Sequence, residues 1–142
     1  MKSGARGHEP WLAAAAICAA GLFLRLAGIG RPSFWFDEAS TLLAARLPFG
    51  APWPLVEPPL FTWLMKAWLA LPFGGSEAFA RLPAALLSAA CLPLVYVVAK
   101  EWLKPGGALL ALALAAVSPF EIIYAQEARM YSGLVFFSLV ST

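Results

Sequence analysis

Two short polar sequences end apolar runs in this chain: Asp37-Glu38 after Ser33-Phe34-Trp35-Phe36, and Gln126-Glu127-Ala128-Arg129 after a second run. Ionisable groups are costly in hydrocarbon, so those beside a membrane span tend to mark a site. A carboxylate within hydrogen-bond reach of a hydroxyl can take its proton as that oxygen attacks carbon. Asp37, Glu38 and Glu127 are the candidates for this work. Arg129 supplies a charge that can pair with a phosphate, and Gln126 and Tyr131 add polar groups for binding a substrate. Tyr124, Glu127 and Tyr131 are spaced i, i+3, i+7, which predicts one helix face, with Gln126 and Arg129 on the adjacent face. Glu57 is a further carboxylate, just before Pro58-Pro59. Whether the two clusters meet decides what chemistry is open to the chain.

The elements that must position these residues are apolar. Of 142 residues, 61% are hydrophobic and 13% charged, against about 25% charged in an ordinary soluble domain. The mean hydropathy is +0.76. This composition predicts an all-α integral membrane protein. The net charge of +2 and the lack of a basic run argue against nucleic acid. Cys18 and Cys91 lie inside apolar runs and read as small buried hydrophobes. With His8 alone on the N-terminal tail, no zinc spacing is present.

Hydropathy predicts spans over 11–29, 82–99 and 106–124, and an incomplete one over 131–142, giving three to four transmembrane helices. An apolar run of 19 residues covers about 28 Å, enough for the bilayer core. Shorter helices are expected in the interface over 37–47 and 58–71, the latter too short to span and carrying Lys66. Arg25, near the end of the first run, can snorkel or pair with a carboxylate inside the protein. Pro93 is expected to kink its helix. Ser118-Pro119-Phe120-Glu121 reads as a capping box with proline at the first helical position, so a new or kinked helix carrying 126–129 is expected there. Residues 1–142 read as a single membrane domain, the N-terminal part of a longer polytopic chain.

Sidedness follows from 58–71. If it lies in the interface, three spans precede Glu127 and both acidic clusters share one face. Lys100 and Lys104 then fall on the side of Lys2 and Arg6, as the positive-inside rule prefers. If it spans, the clusters separate. The interfacial reading places the site on the non-cytoplasmic side of the cell (inner) membrane, where Arg81 joins Arg129 as a position suited to phosphate capture.

In order along the chain, SFWFDEAST, EPPLFTWLMKAW, SEAFARLPAAL and SPFEIIYAQEARMYS resemble the N-terminal part of GT-C glycosyltransferases. The nearest likeness is to bacterial family 39/83-type enzymes, relatives of protein O-mannosyltransferases and of the aminoarabinose transferase of lipid A. The resemblance covers about residues 11–135. It implies a multispanning fold with an outward-facing site that moves a sugar from a polyprenyl-phosphate donor to a lipid, glycan or protein acceptor. It implies that Asp37 contacts or deprotonates the acceptor, with Glu38 as its acidic neighbour. Glu57 matches a glutamate that helps hold a metal in some relatives, Glu127 falls in a second acidic motif, and Arg129 is matched to the donor phosphate. A divalent ion is the cofactor this donor chemistry suggests, with oxygen ligands favouring Mg or Mn.

The alternative is a transporter or flippase component whose acids couple to protons. Transporter carboxylates belong at midspan in broken helices, whereas these lie at the ends of runs. A non-catalytic scaffold leaves the four ordered motifs unexplained.

Overall fold

The structure is a computed structural model that describes residues 9–48, 58–72 and 75–142. Glu57, Trp53, Lys2, Arg6 and His8 lie outside the described residues. The described residues form seven helices: α1 (Glu9–Leu26), α2 (Phe36–Arg46), α3 (Pro59–Leu69), α4 (Glu77–Trp102), α5 (Pro105–Val117), α6 (Pro119–Ala125) and α7 (Tyr131–Val140).

Helix α4 is the spine, packing on α1, α3, α5, α6 and α7. It starts at Glu77, earlier than hydropathy alone predicts, because the Ser76 side chain accepts a hydrogen bond from the Phe79 N–H at 3.2 Å. Its 26 residues cover about 39 Å, and the helix continues through both Pro83 and Pro93. Ala14, Leu92, Tyr96, Ala108, Leu112 and Ala116 form the core between α1, α4 and α5. Small residues let helix backbones approach closely where lipid gives no hydrophobic drive for association. A second core, around Phe61, Met65, Ala84 and Ala128, joins α2, α3 and α4 to the turn before α7. The outer faces carry exposed Leu12, Phe23, Val97, Leu110, Leu114 and Phe137, a surface suited to lipid rather than water.

Among the described residues, α4 is the one helix long and apolar enough to cross a bilayer alone. Helices α5 and α6 pass that test jointly, across a bend of 52°, while Pro10–Leu26 and Tyr131–Val140 are shorter apolar helices. The length criterion is thus met by fewer helices than the three to four expected.

The run 106–124 is two helices because Ser118 ends α5 and caps α6, its hydroxyl accepting from the Glu121 N–H at 3.5 Å. Arg25 holds this break. Its side chain, 1% exposed, neither snorkels nor meets a carboxylate. It donates to the Ser88 hydroxyl at 2.8 Å and to the carbonyls of Gly21, Ala116 and Ala115 at 3.0, 3.2 and 3.3 Å. The last two are orphan carbonyls at the α5 C-terminus, where a cation is also favoured by the helix dipole. Arg25→Met should strand them and cost about 1.5–3 kcal/mol, the worth of a charged hydrogen-bond set. The check is the thermal midpoint of the full-length protein in detergent, with an unchanged midpoint refuting the clamp.

The chain has two distinct ends. At one, the Lys100 ammonium lies 4.2 Å from the Trp11 ring centre, so the 100–104 turn sits beside the start of α1. The other end gathers the turn after α1, helix α2, the start of α4 and residues 126–130.

Candidate functional site

Glu38 is at the centre of that second end. It lies in the first turn of α2 and is fully buried. Arg81, in the early turns of α4, forms a two-point ion pair with it, Nε to Oε1 at 2.8 Å and Nη2 to Oε2 at 2.7 Å. The remaining Arg81 N–H groups reach the carbonyls of Ile29 and Pro32, both at 2.8 Å, and Ser33 at 3.3 Å. These five bonds use all five donors of a guanidinium. Arg81 therefore has no N–H left for phosphate capture, the role its position in sequence suggested.

The Glu38 carboxylate also accepts from the Ala128 N–H at 2.8 Å and from the Trp35 N–H at 3.5 Å. One carboxylate thus joins the turn after α1, the α2 N-terminus, α4 and the 126–130 turn. Burial pushes Glu38 up, but the Arg81 hydrogen bonds and charge, with the Ala128 and Trp35 N–H groups, outweigh it and hold the carboxyl below its ordinary value.

Asp37, one residue earlier, points differently: its side chain is 37% exposed and its Oδ2 is 3.8 Å from Nη2 of Arg129. Arg129 is buried and donates from Nη1 to the Asp37 carbonyl and the Thr41 hydroxyl, both at 3.2 Å. The two acidic sequences, 90 residues apart, are in direct contact.

Residues 126–130 are a turn between α6 and α7, not part of a helix, so Tyr124, Glu127 and Tyr131 do not share a helix face. Tertiary bonds account for this: besides the Ala128 N–H on Glu38, the Gln126 amide donates to the carbonyls of Leu24 and Ala27 at 3.1 and 3.0 Å. Gln126 thereby caps the end of α1. Tyr124 and Tyr131 still meet across the turn, ring centres 4.7 Å apart, and the Arg129 guanidinium lies 5.8 Å from the Tyr131 ring centre.

Glu127 lines a cavity of about 370 Å³ with Trp35, Gln126, Ser33, Glu38 and Arg81. Its Oε2 is buried with no hydrogen-bond partner among the described residues. Burial and the Glu38 charge push its carboxyl up, Arg129 and Arg81 pull it down, Asp37 adds to the rise, and the net shift is upward. A carboxyl raised on folding contributes stability that is full below its unfolded value, about 4.3, and is lost as pH rises through the folded value. Glu127→Gln should therefore raise the thermal midpoint near neutral pH, with the gain vanishing in acid. A gain that persists in acid would refute this origin.

Among the described residues, no group of three His, Cys, Asp or Glu side chains is placed to hold a metal ion. Both Glu38 oxygens are already bonded to Arg81 and backbone N–H groups, and Glu57 lies outside the described residues.

Sequence reasoning missed the Glu38–Arg81 pair, although a lone arginine near the start of an apolar helix was its signal. Arg31, exposed in the turn after α1, was not among the sequence candidates.

Residues 56–140 match the family described as dolichyl-phosphate-mannose-protein mannosyltransferase. The match begins at the approach to α3 and includes Arg81 and the 126–130 turn, while Asp37 and Glu38 precede it. No curated protein and no solved structure matches the chain.

Proposed function

From the premise that the chain belongs to the dolichyl-phosphate-mannose-protein mannosyltransferase family, and so to the membrane glycosyltransferases, we propose that it forms the reaction end of an enzyme moving a sugar from a polyprenyl-phosphate donor to a hydroxyl acceptor. The observation that carries this is the contact between the two acidic sequences through Glu38, Arg81 and Arg129.

Asp37 is the exposed carboxylate and takes the base role. The acceptor oxygen attacks the anomeric carbon, its proton passes to Asp37, and the bond from carbon to the phosphate oxygen breaks. The electron pair leaves on the polyprenyl phosphate. Arg129 orients Asp37 from behind, and Glu38 holds the frame on which both sit. Arg31, exposed in the turn after α1, would supply the cation that meets the departing phosphate. No step is routed through a divalent ion: among the described residues no three His, Cys, Asp or Glu side chains are grouped to hold one.

This end belongs on the non-cytoplasmic face of the cell membrane. The opposite end holds Lys100 and Lys104 beside the start of α1, the arrangement the positive-inside rule prefers on the cytoplasmic side. In this reading α1, α4 and the α5–α6 pair cross the membrane, α7 begins a further span, and α2 and α3 lie in the interface. The isoprenoid tail then stays in hydrocarbon while its phosphate reaches the site. The test is transfer of labelled mannose from polyprenyl-phosphate mannose by membranes containing the full-length protein. Transfer above membranes lacking the protein supports the proposal. No transfer, with proton-coupled uptake of a solute instead, would overturn it in favour of the transporter alternative.

A further inference from the structure

The cavity beside the Glu38–Arg81 pair has a lining that selects for one kind of ligand. Its volume, about 370 Å³, falls in the roughly 300–1,000 Å³ range of small-molecule sites. Trp35 lines it and is 47% exposed as a residue, although the neighbouring backbone is fixed by the α2 N-terminus. The Arg81 donors are all engaged on Glu38 and backbone carbonyls. The Gln126 amide gives its N–H groups to the end of α1, leaving its carbonyl oxygen as an acceptor. Among the described residues Oε2 of Glu127 has no hydrogen-bond partner and is sealed from solvent, which leaves Oε1 as the oxygen able to meet a ligand. Ser33 adds a hydroxyl.

Beside the apolar Pro32 and Ile123, the lining offers acceptors and an aromatic face, and its one cation is neutralised by Glu38. An anion such as phosphate finds no uncommitted guanidinium there, only neutral donors such as the Ser33 hydroxyl. A neutral ring with several hydroxyls finds acceptors for its O–H groups, and its C–H face can lie on the indole, whose π face carries negative potential.

We infer that this cavity holds the sugar of the donor, with Trp35 as the stacking platform and Glu127 Oε1 and the Gln126 carbonyl as acceptors for sugar hydroxyls. The inference deepens the transferase reading and rests on it. It gives Gln126 two tasks, capping α1 and facing the sugar.

The experiment uses full-length protein in membranes with polyprenyl-phosphate mannose as donor. Trp35→Ala should raise the donor KM about tenfold, the scale of one lost aromatic contact, and leave the acceptor KM unchanged, while Trp35→Phe retains most of the affinity. A variant with an unmoved donor KM, or with a shift in the acceptor KM instead, overturns the assignment. Should Trp35→Ala fail to accumulate, Trp35→Cys labelled by a thiol reagent gives a second readout. Labelling slowed by polyprenyl-phosphate mannose but not by polyprenyl phosphate supports a sugar subsite. Equal protection by both, or by neither, overturns it. A wild-type protein without transfer would bring down the transferase reading and this inference together. An active wild type with unmoved Trp35 variants brings down the sugar cavity alone.

Discussion

Asp37→Asn lowers sugar transfer by about 10²–10⁴-fold, the usual worth of a positioned general base, equivalent to about 3–5 kcal/mol of barrier. The carboxamide keeps the size and hydrogen-bonding reach of the aspartate but cannot take the acceptor proton. Protein level should stay normal, because the Asp37 side chain is partly exposed and its ion pair with Arg129, at 3.8 Å, is long. The contacts that anchor this part of α2 to Arg129 and Thr41 run through the Asp37 backbone carbonyl, which the substitution leaves in place. The measurement is transfer per unit of full-length protein in membranes, with substrate KM determined beside kcat. A loss confined to kcat supports proton transfer. Unchanged transfer would remove Asp37 from the mechanism and leave it as a helix-start residue.

Breaking the buried pair from either side has the opposite profile. Glu38→Gln or Arg81→Met alone should cost about 3–5 kcal/mol of stability, since each leaves an uncompensated group in a buried site. Arg81→Met also strands the carbonyls of Ile29, Pro32 and Ser33. The double variant should cost less than the two singles added together, because it removes both charges at once. Thermal midpoints and protein yield of all four forms make the comparison. Additive costs would show that the pair is not coupled, and costs near zero would show that it does not hold the fold. The pH dependence has a definite sign. Glu38 is held below its ordinary value, so its contribution is present above the unfolded glutamate value and is lost as pH falls through the folded one. Glu38→Gln should remove that acid-side loss, while Glu127→Gln acts in the other direction.

The pair of adjacent acids therefore divides into two tasks. Glu38 faces inward and has both oxygens bonded to protein, which ties the site's elements together. Asp37 keeps an exposed face. Adjacent residues on a helix point about 100° apart, and that geometry separates the buried carboxylate of Glu38 from the part-exposed one of Asp37.

Much of the architecture is legible in the residues themselves. Apolar runs bounded by Pro, Gly and charge predict helices, and Ser118-Pro119 does mark the start of one. Helix ends are harder. The α4 start at Glu77 depends on a serine cap, while an apolar window responds to the hydrophobic interior. The turn at 126–130 was out of reach because its local sequence suits a helix. Bonds from Glu38 and to α1, 90 or more residues away in the chain, outweigh that preference.

Composition, helical character and the identity of the acidic sequences follow from the sequence by itself, because hydropathy and capping are local properties. Only the tertiary structure decided that the two acidic sequences touch, that Arg81 serves Glu38 rather than a phosphate, and that Arg25 closes the end of α5. Each of these is a hydrogen bond or ion pair between groups distant in the chain. Its formation depends on which helices pack together, and a linear pattern of residue types does not encode that partner choice.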